Sequence, residues 1–422
     1  MPDRTALPDG PRVISARLPG SRSLAAAAYV LAGSRSERAD EAGIAHFLEH
    51  LTFKGTAAYP TSRAVSEAIE GLGGTSNAAT DRESTTYWVH LPGREAARGI
   101  GLLGELICRP SLASPDVQRE REVIVEEIHA YRDDASQYVF NAFDELFFGD
   151  TPLGREIAGD EDTVRGIPEA AIRAFWTAAY RPTNVVVAAV GDLPHEAVVE
   201  MVDQAFGRGD GERPVMAPAP GPLPCAGRLR VVDRPGTQAH LCLGLPALPR
   251  DDPGQWALEV LDTILGDGSS SRLFLKVREE AALAYDVHSF HVEYADCGAL
   301  QVYAGVDPED LPAAVRAILG ELARLRDERV GPAEMAKAKA YARGRLELRL
   351  EESRNLVAWL GVQEALHDRV LSVDEAVDRL EAVDADEVAA LAGRLFRDEA
   401  LAMAVVMPRG RAAGLEAAFR LP

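Results

Sequence analysis

The sequence predicts an α+β fold of two similar halves, each a mainly antiparallel sheet covered by helices. Three observations predict it. Strand-like and helical stretches alternate, and the strands are joined partly by tight turns and partly by long helical pairs, which suits helices laid on one face of an antiparallel sheet. At the midpoint, Gly207-Arg-Gly-Asp-Gly-Glu-Arg-Pro followed by Ala217-Pro-Ala-Pro-Gly-Pro-Leu-Pro224 can hold neither helix nor inner strand. The stretches on either side look like weak copies of each other. In each, an alternating apolar strand (Thr86 to Leu91, Ala299 to Ala304) leads into a helix starting near Gly93 or Asp307, and a valine- and alanine-rich strand (Val185 to Val190, Ala402 to Met407) lies close to the end. Duplication accounts for this most simply, with residues 1–207 and 225–422 as the halves and 208–224 as the linker.

A chain of 422 residues with 47% hydrophobic content can bury a full core in each half. No apolar run approaches the ~18 residues a membrane span needs, and Met1 to Gly20 lacks the basic-then-apolar order of a secretory signal, so the expectation is a cytoplasmic protein with no membrane partner. Cys108, Cys225, Cys242 and Cys297 form no Cys-x-x-Cys pair, which argues for buried thiols rather than a disulfide framework or a thiolate zinc knuckle. A formal net charge of −21 argues against nucleic acid as a partner and suits cationic peptides.

Chemistry concentrates between Asp40 and Gly55. Ile44, Phe47, Leu48 and Leu51 recur at the spacing of an amphipathic helix, with Gly55 as its stop. On a helical wheel His46, Glu49 and His50 fall opposite that stripe. Imidazoles at i and i+4 stand one turn apart, close enough to share a Zn²⁺, and Glu49 lies beside both as a general base for water that the metal activates. With nine histidines in the chain, such a His-x-x-Glu-His is expected by chance only ~0.02 times.

A catalytic zinc usually takes three protein ligands, so the third must come from elsewhere. Ser114-Pro-Asp116 opens another helix, with Val117, Ile124, Ile128 and Tyr131 as its buried stripe. Glu122 and Glu126 project away from the stripe, whereas Glu120 and Glu127, seven apart, lie on its flank, where an unpaired carboxylate is costly. Glu127 is the expected third ligand and Glu120 the group that orients a ligating histidine. His288 and His291, three apart in a strand-like run, face opposite sides and cannot share a metal, and His90, His129, His195, His240 and His367 carry no such signal.

The motif His46-Phe-Leu-Glu-His50, continuing as Leu-Thr-Phe-Lys-Gly-Thr56, resembles the insulinase/pitrilysin family in its branch of short bacterial enzymes and mitochondrial processing peptidases. Gly73-Gly-Thr-Ser-Asn-Ala-Ala-Thr-Asp-Arg-Glu-Ser-Thr-Thr-Tyr87 resembles the family's strand beside the zinc site, which implies that Asn77 holds the substrate backbone. Glu127 falls where the family places its third ligand. Pro152 to Arg155 and Tyr180 to Asn184 are further likenesses. Ser271 to Arg278 and Leu283-Ala-Tyr285 resemble a substrate-binding arginine and tyrosine seven apart, which implies that Arg278 and Tyr285 stabilise the developing oxyanion. Ala282 stands where family members usually have glycine.

The resemblance implies a zinc metalloendopeptidase acting on peptides or unfolded segments. It also implies a chain that forms one half of a clam-shaped chamber, completed by a homodimer or by a heterodimer with a paralogue. Two other functions fit the same fold: a non-catalytic scaffold subunit, favoured by loss of a zinc ligand, of the base or of the substrate pair, and a maturation protease that removes leader peptides.

Overall fold

The apolar runs and alternations become two sheets in the computed structural model, which describes residues 2–209, 228–367, 369–409 and 414–422. The first sheet contains β1 (Asp3–Ala6), β2 (Arg12–Arg17), β3 (Ser23–Val30), β4 (Thr75–Thr80), β5 (Thr85–Pro92) and β6 (Val185–Gly191). The second contains β7 (Leu229–Asp233), β8 (Ala239–Ala247), β9 (Ala284–Glu293), β10 (Gly298–Val306) and β11 (Ala402–Met407). Their orders are β1-β2-β6-β3-β5-β4 and β7-β11-β8-β10-β9. Apart from β1 the two orders are the same, each with one parallel pair (β2 with β6, β7 with β11) and otherwise antiparallel pairs. The fold is therefore α+β with two like-built, mainly antiparallel sheets. The expected linker lies, from residue 210 onward, outside the described residues, as does Cys225.

Helices α1 (Ile44–Thr52), α2 (Ser62–Glu70), α3 (Ala96–Cys108), α4 (Ser114–Asp133) and α5 (Ala135–Phe148) lie in the first half of the chain. The protein divides into two units, and neither is continuous in sequence. Unit 1 holds residues 2–129, 156–209 and 347–372; unit 2 holds 130–155, 228–346 and 373–422. Each half of the sequence thus contributes one helical segment to the other half's sheet. In unit 2, α5 lays Val139, Ala142 and Phe143 on Cys242, Ala402 and Ala404, and Gly244 leaves the room that the Phe143 ring fills. In unit 1 the helix Ser353–Leu366 lays Val357 and Leu360 on Ala25, Ala27, Val186 and Ala188. There Gly361 sits against the Tyr29 ring, Tyr29 donates its hydroxyl to Ala358 O at 3.2 Å, and buried Glu364 receives Arg4 and Arg12.

Helices therefore cover both faces of each sheet, which corrects the expectation of one covered face. The physical reason is already present in the strands. Every residue of β6 is buried, and β3 is apolar at consecutive positions, the pattern of a strand packed on both sides. On the other face of the first sheet, Leu24, Ala26, Val89 and Leu91 meet Ile100 and Leu103 of α3 and the apolar side of α1. One helix-face assignment also changes: Tyr131, expected in the buried stripe of α4, is 42% exposed, and Arg121 is buried on α4 instead. Among the described residues no helix is long and apolar enough to cross a membrane.

Unit 2 contains an ionic cluster with a pH consequence. His291 on β9 sets Nδ1 3.1 Å from Asp262 and Nε2 3.8 Å from Glu259, both on the helix Gln255–Leu265. Burial opposes the imidazolium, but the Asp262 hydrogen bond and the two carboxylates outweigh it and push His291 up to about 8. A folded-state value above the unfolded one stabilises fully below the ordinary imidazole value and is lost as pH rises through about 8, a contribution of about 2 kcal/mol at most. Unfolding midpoints of wild type and His291→Gln are expected to differ clearly at pH 6 and to converge above pH 9. A constant difference would remove this role.

Candidate metal centre

The helix that carries the candidate ligands is fixed at both its start and its face. Glu37 caps its N-terminus, accepting from Gly43 N at 2.9 Å and Ala45 N at 2.8 Å, so a carboxylate meets the exposed amides and the positive end of the helix dipole. Gly43 has φ +95°, and a Cβ there would lie 2.4 Å from Ala158 O. Only glycine lets the chain enter α1 at this point. The segment bearing Glu37 is tied to the turn between β4 and β5 through Ser34 N to Asp81 O, Arg35 N to Arg82 O and a buried Arg35–Glu83 ion pair of 2.6 Å. Ile44, Phe47, Leu48 and Leu51 are fully buried, which turns His46, Glu49 and His50 away from the core. Arg121 sets the rotation of α4: its guanidinium donates to Val164 O and Ile167 O and lies 5.3 Å from the centre of the Phe47 ring.

His46, His50 and Glu127 are brought together. His46 Nε2 lies 3.9 Å from one Glu127 oxygen and His50 Nε2 3.5 Å from the other, and the two ring centroids are 4.6 Å apart. The three donor atoms lie within 4.8 Å of one another. Two ligands of a tetrahedral zinc with bonds of ~2.0–2.1 Å stand roughly 3.3–3.5 Å apart, so a modest closure of this triangle suffices. The 3.9 Å contact is too long for a hydrogen bond and suits two ligands of one ion. His46 Nδ1 is buried with no hydrogen-bond partner among the described residues. Burial, with His50 alongside, pushes His46 down to about 4, and the His50 hydrogen bond holds Glu127 below the usual carboxylate range. A neutral imidazole and an ionised carboxylate are the forms that bind metal. His50 is shifted the other way: burial opposes its protonation, but Glu127 and Glu120 outweigh burial and lift it above the ordinary imidazole value. Donor types and spacing fit zinc, and the protonation of His46 and Glu127 suits it, whereas a metal would have to displace the proton that Glu127 and Glu120 favour on His50.

Around this triangle stand the other expected residues. Glu49 points one oxygen at Thr80 Oγ1, which donates at 2.6 Å, and burial raises the carboxyl above its usual range, as suits a proton acceptor working near neutral pH. Glu120, 2% exposed, lies 3.3 Å from His50 Nδ1. Asn77 lies on β4, an edge strand of the sheet, and lines a cavity of about 420 Å³ with Glu49, His50, Phe53, Lys54 and Ile69. Its side-chain oxygen accepts from Ala78 N at 2.9 Å.

Arg278 and Tyr285 belong to unit 2 and meet there. Arg278, in the π-helical segment Phe274–Glu280, holds its guanidinium 4.7 Å from the Phe274 ring centre and 5.3 Å from that of Tyr285, which is 78% exposed. Between them Ala282 has φ +53°, the left-handed conformation that closes a helix and that glycine adopts without a Cβ penalty. Ala282→Gly is expected to stabilise the fold by about 0.5–1 kcal/mol, read as a higher denaturant midpoint with unchanged slope. A lower midpoint would show that the Ala282 methyl group packs favourably enough to offset the strain.

Four contacting residues carry no role in the sequence-based assignment. Glu37 and Arg121 act across turns and helix pairs that no local spacing reveals. Lys54 and Thr80 had a weak signal: Lys54 lies one turn beyond His50, and Thr80 ends the strand that carries Asn77.

Comparison with known proteins places this geometry. Residues 12–161 match the model for Insulinase (Peptidase family M16), and residues 167–341 match that for the Peptidase M16 inactive domain. A Mycobacterium bovis protein named as an uncharacterized zinc protease is 38% identical over 97% of this chain and 94% of its own. The Saccharomyces cerevisiae mitochondrial-processing peptidase subunit beta is 27% identical over 94% of this chain and 89% of its own. A protease structure from Helicobacter pylori shares the fold with a TM-score of 0.91 at 21% identity, covering 97% of this chain and 99% of that one. The curated relatives thus include proteins named as zinc proteases. With a relative this similar along nearly its whole length, the chain belongs to the insulinase family, peptidase family M16.

Proposed function

We propose that this chain is a zinc metalloendopeptidase that hydrolyses peptides or unfolded segments, with His46, His50 and Glu127 as metal ligands and Glu49 as general base. One observation carries the proposal: two imidazoles and a carboxylate converge within 4.8 Å, with the half-buried carboxylate of Glu49 beside them, which is not one of the three. The match to the inactive domain falls on residues 167–341, whereas these four residues fall in the peptidase match at 12–161. That division favours an enzyme over a scaffold subunit.

Zinc at this place would polarise the scissile carbonyl and acidify the attacking water. Glu49, held by Thr80, takes the proton from that water and returns it to the leaving amine. Glu120 keeps the Nδ1 side of His50 engaged so that Nε2 faces the metal. The substrate backbone adds to the free edge of β4 beside Asn77, a mode that reads main chain more than side chain. Arg278 and Tyr285, a cation and a phenol held in one stack, donate to the oxyanion. A second chain, the same or a paralogue, supplies that pair to the zinc residues of the first. The relative named as a processing-peptidase subunit supports such pairing and a narrower role in removing leader segments.

The test is chelation. Stripping zinc is expected to abolish cleavage of an unfolded peptide, and one equivalent of zinc per chain is expected to restore it. His46→Ala should neither hold nor respond to zinc. Full cleavage by the stripped chain would end the proposal.

A further inference from the structure

Glu120 is the deepest carboxylate near the centre, with a side chain only 3% exposed, and an isolated charge so placed costs several kcal/mol. Among the described residues two polar groups meet it. Oε2 faces His50 Nδ1 at 3.3 Å, and Oε1 faces Lys54 Nζ at 2.9 Å. The neighbouring cation on α4, Arg121, is turned away onto the carbonyls of Val164 and Ile167. Lys54 arrives from α1 itself: it follows the helix end, its amide donates to Leu51 O at 3.1 Å, and it lies one turn beyond His50 on the same flank. The two Glu120 oxygens are therefore held by His50 in the last turn of α1 and by Lys54 in the turn that follows it, four positions apart.

Resting on the zinc proposal above, we propose that Lys54 is a positioning residue for the metal ligand His50, acting through Glu120. Its ammonium fixes one oxygen and so the plane of the carboxylate. The other oxygen is then aimed to accept the Nδ1 hydrogen of His50, and this leaves Nε2 unprotonated and directed at His46 and Glu127. Contacts of this kind around metal-bound histidines are worth about 10–100-fold in metal affinity. Lys54 also lines the cavity beside Asn77, so its loss can change substrate binding directly. A readout without substrate separates the two effects.

The experiment follows zinc release from the full chain to a chromophoric chelator, with no peptide present, for wild type, Lys54→Met, Lys54→Arg, Glu120→Gln and the Lys54→Met/Glu120→Gln double variant. Lys54→Met is expected to release zinc about tenfold faster, and Lys54→Arg to restore most of the retention. The double variant should release no faster than Glu120→Gln, because Lys54 has nothing left to orient. If Lys54→Met does not fold, Lys54→Gln keeps a polar contact to Oε1 without the charge and is expected to behave alike. Wild-type release from a folded Lys54→Met or Lys54→Gln chain, or effects that multiply in the double variant, would overturn the positioning role and leave the zinc site standing. A wild-type chain that takes up no zinc would instead overturn the zinc proposal and this inference with it.

Discussion

Glu49→Gln is expected to keep its zinc and to lose kcat by roughly 10²–10⁴-fold, the range a positioned general base supplies. The geometry separates the two outcomes. Glu49 is outside the triangle of His46, His50 and Glu127, so removing its charge should leave the donors in place. A glutamine oxygen can still accept from Thr80, which preserves the 2.6 Å contact and the rotamer. What disappears is the basicity that burial raises. Metal analysis and single-turnover cleavage on the same sample check both halves of the prediction. Loss of zinc would make Glu49 a ligand, and unchanged kcat would move the base elsewhere.

The second large effect concerns Arg278. Arg278→Ala alone is expected to lower kcat/KM by about 10²–10³-fold, the cost of removing one oxyanion donor. Mixed with Glu49→Gln, however, it should recover activity. If each site combines the zinc helix of one chain with Arg278 of another, a mixed pair contains one site built wholly from unaltered residues. With half the pairs mixed at random, the mixture should reach about a quarter of wild-type activity. Activity no greater than the sum of the two variants would confine each site to a single chain.

The parts of this molecule that the sequence reveals are those set by spacing along one element. Two imidazoles on one face of α1, and Glu120 and Glu127 set apart from Glu122 and Glu126 on α4, follow from 3.6 residues per turn. Glu122 indeed pairs with Arg165 in the open, whereas Glu120 is buried. The repeated strand order follows from two similar alternations of strand and helix. Contacts between elements are less visible. The helix Ser353–Leu366 crosses to the first sheet because β3 and β6 need cover on a second face, a need legible in their unbroken apolar runs, but nothing local says which helix meets it. Tyr131 continues a helical stripe past the point where α4 still has a core to face, and so it is exposed. Thr80 and Lys54 reach Glu49 and Glu120 only because β4 and α4 pack beside α1.

The most direct measurement is an anomalous difference map at the zinc edge from crystals of the zinc-loaded chain. One peak is expected in unit 1, ~2.0–2.2 Å from His46 Nε2, from His50 Nε2 and from a Glu127 oxygen, with Glu49 beyond bonding distance. A map with no peak among those three side chains, or with the ion bound elsewhere, would contradict the account.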